Sequence, residues 1–331
     1  MKIKLQNLNR LYQELQPVLD NVVKDVYKSG QHLLGPYTTE FEERIANVSG
    51  ARYAAVVGSG SDALYYALVS ENIQGDVVMP AQTYIATANS ILRAGCTPVG
   101  IDVSNRGLLR WDLIPPNINV AVWVGLFGNI EELPADILLI EDGAQHFGAP
   151  LQGNTASYSF DPTKNLPNFG NGGAVVSNDK TVIENVKALR RHYTVNGHPG
   201  GNSIMSEREC AEMCVKLDHF PFWTERRQEI ARDYSAQLSE CVDCITQTTG
   251  QVSKFVINTP YRKELAEHLT YRKIETKRAY EKSLADVEQA TWNCQQFLQI
   301  PCNPHMTDEE VLEVILAIKE FFKERPLKSL H

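Results

Sequence analysis

The chain has 331 residues, enough for two domains of ordinary size. Lys and Arg number 32 against 40 Asp and Glu, a formal net charge of -8, which excludes the clustered basic face that a nucleic-acid binder needs. A composition of 43% hydrophobic and 22% charged residues excludes a disordered chain, and no apolar run reaches the ~18–20 residues that span a bilayer.

Residues 1–4, Met-Lys-Ile-Lys, lead into neither an apolar core nor a cleavage site, so the expectation is a cytoplasmic protein. Leu5, Leu8, Leu11, Leu15, Val18 and Val22 recur near helical spacing, and residues 1–30 read as a helix. Gly35-Pro36 breaks it, and Thr38 or Thr39 is placed to cap a second helix carrying Phe41, Ile45 and Val48. Strand-like and helix-like segments then alternate. Strands are expected over 53–57, 77–80, 98–103, 119–127, 137–141, 156–160 and 173–177, with helices over 61–70 and 83–94. Apolar runs separated by helices imply a mostly parallel sheet buried on both faces. Helical periodicity resumes near 181 and across 207–238. Farther on, 252–258 reads as a strand, 262–270 as a helix, and 307–324 as an amphipathic helix opened by the capping box Thr307-x-x-Glu310. The expected division is a large α/β domain over 1–215 and a smaller α+β domain over 216–331.

Seven cysteines, an odd number, suit reduced thiols. Cys241-x-x-Cys244 lacks a second Cys or His pair at zinc spacing, so no metal site is expected.

In an open α/β sheet, ligands bind beyond the carboxyl ends of the strands, and three segments place unusual residues there. Gly58-Ser59-Gly60-Ser61-Asp62 joins a strand to a helix, where free amides and hydroxyls suit an anion, although such turns also carry Gly and Ser for geometry alone. The hydrophobic strand ending in Glu141-Asp142-Gly143-Ala144-Gln145-His146 delivers carboxylates to its end. There Asp142 either holds a proton on a cofactor's ring nitrogen or caps the next turn. Ser159-Phe160-Asp161-Pro162-Thr163-Lys164-Asn165 sets a lone lysine in a strand-end loop, either solvated or, if desolvated, a nucleophile for carbonyls. A phosphate cradle, a strand-end Asp and a reactive Lys, in that order, are the parts of a pyridoxal phosphate site.

These residues resemble the nucleotide-sugar aminotransferase family, the DegT/StrS group of fold type I pyridoxal phosphate enzymes, almost end to end. Gly35-Pro36 to Glu42 is similar to the family's entry motif, and Gly60-Ser61-Asp62-Ala63-Leu64 to its phosphate turn. In Pro80-Ala81-Gln82-Thr83-Tyr84, the resemblance makes Tyr84 the residue that stacks on the cofactor ring. It also implies Asp142 at the pyridine nitrogen, Gln145 by the phenolic oxygen, Ser159 at the phosphate and Lys164 as the covalent attachment point and acid–base. Gly172-Gly173-Ala174-Val175-Val176 and the Thr307-Asp308-Glu309-Glu310 helix start continue the pattern. Asn202 matches an Asn that reaches the phosphate of the neighbouring subunit, which implies a homodimer with shared sites. The implied fold is aspartate aminotransferase-like, a large mixed, mostly parallel seven-stranded sheet plus a small α+β domain. The implied reaction moves an amino group from L-glutamate to a nucleotide-linked keto sugar, in polysaccharide or glycosylated-metabolite synthesis. Asp62 tilts the choice toward a 3-keto over a 4-keto substrate.

The chain departs from the family at several positions. Gly125 stands where His opens the usual His-Leu-Tyr-Gly, Ile204 replaces an Arg, and Ala279 replaces a His. The segment from Gly128 to 137 is shorter by roughly two turns of ~3.6 residues. Two other classes fit the same pattern: a catalytically silent binding or regulatory protein, and another fold type I enzyme such as a cysteine desulfurase, for which Cys294 and Cys302 are the candidates.

Overall fold

The computed structural model describes residues 3–323 and residue 325. Helix α1 (Leu8–Ser29) begins at the side-chain cap of Asn7 and ends at Gly30, whose φ of 69° needs no Cβ. It starts later than the expected residue 1, because the preceding segment lies along the far end of the chain: Ile3 donates to the Lys273 carbonyl and accepts from the Glu275 amide. Helix α2 (Pro36–Val48) has Pro36 in its first turn, and neither Thr38 nor Thr39 caps it. The cap comes from 170 residues away. The Glu207 carboxylate accepts from the amides of Gly35 (2.8 Å), Tyr37 (2.5 Å) and Thr38 (3.1 Å) and from the Thr38 hydroxyl (2.6 Å).

The alternating segments then form β1 (Tyr53–Val57), α3 (Gly60–Ser70), β2 (Asp76–Pro80), α4 (Ile85–Arg93), β3 (Thr97–Ile101), β4 (Val120–Val124), β5 (Leu138–Asp142), β6 (Thr155–Ser159), β7 (Gly173–Ser177), α5 (Lys180–Leu189) and α6 (Glu207–Leu238). The strands make one seven-stranded sheet of order β1-β7-β6-β5-β4-β2-β3. Only β7 runs against its neighbours, so the sheet is mixed and mostly parallel. Alternation along the strands sends Ala54, Val56, Ala174 and Val176 into a core with α1, α2 and the first half of α6. Ala55, Val57, Val122, Ile140 and Val175 go to the opposite core, beneath α3, α4 and α5. Strand β4 stops at Val124, short of the expected 127, because Phe127 takes a left-handed turn at φ 63°.

Helix α6 carries the chain from one core to the next. Cys210, Met213, Phe220 and Trp223 pack in the large domain, and Ile230, Tyr234 and Leu238 in the small one. The expected division at 215 falls inside this 32-residue helix. The small domain adds β8 (Asp243–Cys244), β9 (Phe255–Asn258), α7 (Arg262–Tyr271), β10 (Lys277–Arg278), α8 (Glu288–Gln296), β11 (Phe297–Ile300) and α9 (Asp308–Phe322). Its antiparallel sheet has the order β10-β11-β9-β8. The strand expected over 252–258 begins only at Phe255, and β8, β10, β11 and α8 carry no sequence signal strong enough to name. The Thr307–Glu310 capping box is present, and of the helix expected over 307–324, residue 324 lies outside the described residues. Among the described residues no helix is long and apolar enough to cross a membrane.

The remote cap is testable. Glu207→Ala leaves the amides and hydroxyl at the start of α2 unsatisfied and should cost about 3 kcal/mol. Differential scanning calorimetry should show the thermal midpoint falling by roughly 6–10 °C.

Candidate active site at the strand ends

Strands β1, β2, β4, β5 and β6 run the same way, so the loops that follow them gather at one edge of the large sheet. At that edge the first turn of α3 meets the end of β6. Ser59 caps the helix by accepting from the Asp62 amide (3.1 Å), and Gly60 lies so near Ser159 that a Cβ there would stand 2.5 Å from the Ser159 Cβ. Only glycine allows this approach, which sets the exposed Ser61 and the half-buried Ser159 at a helix N-terminus suited to an anion. Asp62 is engaged within the chain: its carboxylate accepts from Arg93 (2.6 Å) and from the Ser203 hydroxyl (2.7 Å). Ser203 in turn accepts from the Gly58 amide (3.0 Å), so the loop at 201–205 is pinned beside the cradle. Within that loop Asn202 is exposed.

The second part lies at the end of β5. The Asp142 carboxylate accepts from the Thr87 hydroxyl (2.7 Å) and the Ala144 amide (3.3 Å), so it both closes its own turn and is aimed by α4. Tyr84 stands at the start of α4 with 65% of its surface exposed, a large ring left free at the site. Gln145 is buried between two fixed partners: its oxygen accepts from the Phe127 amide (2.9 Å) and its nitrogen donates to the Tyr280 hydroxyl (2.8 Å). Burial pushes the Tyr280 phenol well up, so it stays a neutral hydroxyl. Thr87 and Tyr280 are contributors that sequence spacing alone did not assign, since the contacts that aim them span 55 and 135 residues.

The third part is the loop after β6. Asp161 turns the chain by accepting from the Lys164 amide (2.9 Å), and Asn165 donates to the Phe147 carbonyl (2.9 Å). Beyond them the buried Lys216 of α6 donates to the Pro167 carbonyl (3.0 Å) with its ammonium 3.6 Å from the centre of the Phe169 ring. Lys164 is half-buried, and desolvation lowers its pKa, opposed by Asp142 and Asp161 and assisted by Lys277. Burial, followed by the repulsion of Lys164 and Lys277, pushes Lys254 down to about 7.

The departures have structural counterparts. A Cβ on Gly125 would stand 2.2 Å from the Nδ1 of His146, so the imidazole at the next strand end occupies the space that a side chain at 125 would take. His146 is fully buried, bonds Glu141 at 3.0 Å and packs at a tilt against Trp123, ring centres 4.8 Å apart. Glu141 also accepts from the amides of Gln152 and Gly153, so one ring and one carboxylate tie the end of β5 to the following loop. Ala279 packs against the apolar cluster that contains Phe127. The segment 129–137 contains no helix, in line with its shortness. Cys294 and Cys302 are buried, with burial pushing their thiols up to about 11 and about 12, unlike an exposed nucleophile.

Together these groups fit a phosphorylated pyridine aldehyde: an amide-and-hydroxyl cradle that a single Cβ would fill, a fixed carboxylate, a free aromatic ring and a lysine of lowered pKa. The chain matches the DegT/DnrJ/EryC1/StrS aminotransferase family over residues 14–319. It is 30% identical to a pleiotropic regulatory protein of Geobacillus stearothermophilus, covering 98% of this chain and 99% of that one. It is 29% identical to the dTDP-3-amino-3,4,6-trideoxy-alpha-D-glucose transaminase of Streptomyces venezuelae, covering 97% of this chain and 96% of the relative. The crystal structure of S. venezuelae DesV, in complex with a ketimine intermediate, superposes with a TM-score of 0.90 at 28% identity, covering 97% of this chain and 99% of that one.

The exchange of volume between positions 125 and 146 predicts a non-additive pair. Gly125→Ala should destabilise by about 3 kcal/mol through overpacking, and His146→Ala should also destabilise. In the double variant the clash is gone, and the summed cost measured by chemical denaturation should fall short of additivity by more than about 1 kcal/mol.

Proposed function

This chain belongs to the DegT/DnrJ/EryC1/StrS aminotransferase family and is a pyridoxal 5'-phosphate-dependent transaminase, and on that premise we propose that it moves an amino group from L-glutamate to the 3-keto group of a nucleotide-linked deoxyhexose. The observation that carries this reading is the convergence of Lys164, Asp142 and the Gly60–Ser159 cradle at one sheet edge. The 3-keto preference is supported by Asp62 in the phosphate turn and by the 3-amino product in the name of the S. venezuelae relative.

When bound, the cofactor supplies an aldehyde that takes up amines and a protonated ring that accepts the electron pair left behind by a departing proton. The amides opening α3, with Ser61 and Ser159, hold the phosphate. Tyr84 covers one face of the ring. Asp142, fixed by Thr87 and the Ala144 amide, keeps the proton on the pyridine nitrogen. Gln145, fixed by Phe127 and Tyr280, lies by the phenolic oxygen. Lys164 would hold the cofactor through Nζ and, once the donor amine has displaced it, its free amine would take the α proton of the donor and give it back, the work of a general base and acid in turn. Glutamate leaves as 2-oxoglutarate, and the keto sugar receives the amine by the same steps reversed. The exposed Asn202, held beside the cradle by Ser203, supports a homodimer in which it reaches the partner's phosphate. Such a product suits cytoplasmic supply of amino sugars for polysaccharides or glycosylated metabolites.

Borohydride reduction of the cofactor-loaded protein should label Lys164, and Lys164→Ala should abolish turnover; near-normal activity in that variant would falsify the assignment. Asp142→Asn should lower kcat by about 100-fold or more, because the ring proton is no longer held. The neutral amine is the attacking form, so the lowered pKa of Lys164 fixes the sign of a pH dependence. In stopped-flow absorbance, cofactor attachment to the apoprotein should accelerate with rising pH and level off below the ~10.4 midpoint of an ordinary lysine.

A further inference from the structure

The register of the small sheet determines which of its side chains look toward the active site. In the ladder Lys277 lies opposite Gln299, and Gln299 lies opposite Val256. Opposed residues share a face, and so do residues two apart on one strand. Val256, Gln299 and Lys277 therefore belong to one side, and Lys254, the residue that leads into β9, is tied to Val256 through the Thr246 hydroxyl, which donates to the Lys254 carbonyl (2.9 Å) and accepts from the Val256 amide (3.0 Å). Phe255, Ile257, Leu298 and Ile300 fill the small-domain core on the other side. The face bearing Val256 is the one turned to the large domain, because Val256 and Phe297 pack with Val124, Leu126 and Phe127 at the end of β4.

Lys254 is held there by close backbone approach. The Ser253 amide donates to the Phe127 carbonyl (3.0 Å), Asn129 accepts from the Gln247 amide (2.7 Å) and donates to the Ile245 carbonyl (3.3 Å), the Gln247 side chain accepts from the Ile130 amide (2.9 Å), and a Cβ on Gly128 would stand 2.9 Å from the Gln251 backbone. The result is a group of lysines, Lys164, Lys254 and Lys277, close enough to repel one another. Among the described residues neither Lys254 nor Lys277 forms an ion pair. Asp161 is the carboxylate that opposes this repulsion on Lys254, and its Oδ1 already accepts from the Thr163 amide (2.9 Å) and hydroxyl (2.6 Å). A half-buried cation without a counter-ion is costly, and a second cation beside it adds to the cost.

We propose that Lys254, with Lys277 at the rim, is a specificity residue that receives a substrate carboxylate beside Lys164. This rests on the transamination reading. The choice of a carboxylate follows from the chemistry: an α-amino acid donor carries one a single bond from the carbon whose proton Lys164 handles, and an acidic acceptor sugar carries one on its ring. The diphosphate of a nucleotide lies a whole sugar away from the reacting carbon, and the cofactor phosphate has its own seat on α3.

The test uses the cofactor-loaded enzyme and Lys254→Gln, with Lys254→Arg as the conservative variant and thermal midpoints as the check of folding. Maleate, a dicarboxylate that cannot transaminate, and L-glutamate are titrated by visible absorbance. UDP-glucuronate, UDP-glucose and UDP are titrated by calorimetry. If the donor supplies the carboxylate, Lys254→Gln weakens maleate and glutamate by roughly tenfold or more, Lys254→Arg recovers most of the loss, and Lys277→Gln gives a smaller loss. If an acidic acceptor supplies it, maleate is unmoved and UDP-glucuronate loses its advantage over UDP-glucose. The proposal is overturned if no carboxylate ligand shifts by more than twofold, if wild type binds none of them, or if UDP alone weakens as much as UDP-glucuronate. A wild-type spectrum unmoved by glutamate would count against the proposed donor, while the maleate titration still decides the role of Lys254.

Discussion

A sheet covered by helices on both faces leaves only its edges for chemistry, and the direction of the strands decides which edge. Here six of the seven strands agree, so every loop following a parallel strand opens on the same side. That constraint brings Gly60, Asp142, Ser159 and Lys164 together although about a hundred residues separate the first from the last. The residues at the edge then need little beyond local chemistry. Glycine at 60 admits the backbone, the first turn of α3 supplies amides, and a hydrophobic strand drives Asp142 to its end with its carboxylate still bonded.

The site is closed by a clamp between domains that rests on one strained residue. Phe127 is buried with φ at 63°, outside the range favoured by a side chain with a Cβ. Its amide holds Gln145 and its carbonyl holds Ser253, so the turn after β4 is bonded to the large-domain site on one side and to the small domain on the other. Tyr280 reaches Gln145 from the small domain as well. The geometry around the cofactor's expected seat is therefore shared by both cores, and α6 carries the chain from one core into the other.

Charge follows the same division. The large domain contributes carboxylates at the site, Asp142 and Asp161, and the small domain contributes cations, Lys254 and Lys277, with Lys164 between them. Away from the site, several buried charges are satisfied within the fold. Glu207 caps α2, Lys216 braces the loop carrying Lys164, and Arg190 is paired with Glu42 at 2.6 Å while donating to the Val56 carbonyl.

Strong periodicity and strand-end motifs made much of this legible in the sequence. Residues 53–57, 173–177 and 207–238 are bounded by signals a few residues long, and their limits as strands and helix agree with the structure. The Gly-Ser-Asp turn, the Asp142 strand end and the Lys164 loop were readable for the same reason, since each is a local pattern of residue types. Other features depend on residues far apart in the chain. The cap of α2 comes from Glu207 and not from Thr38 or Thr39, His146 fills the space beside Gly125, and Thr87 aims Asp142. The short strands β8, β10 and β11 exist only because β9 and its neighbours offer them hydrogen bonds, and it is their register that puts Lys277 on the same face as Val256. The sequence by itself determined the order of elements and the chemistry each loop carries, because those are set by local propensity and burial period. Which distant side chains meet, and which cations are left facing an open site, was decided by tertiary packing, because contact across the fold depends on register and domain closure that no local window contains.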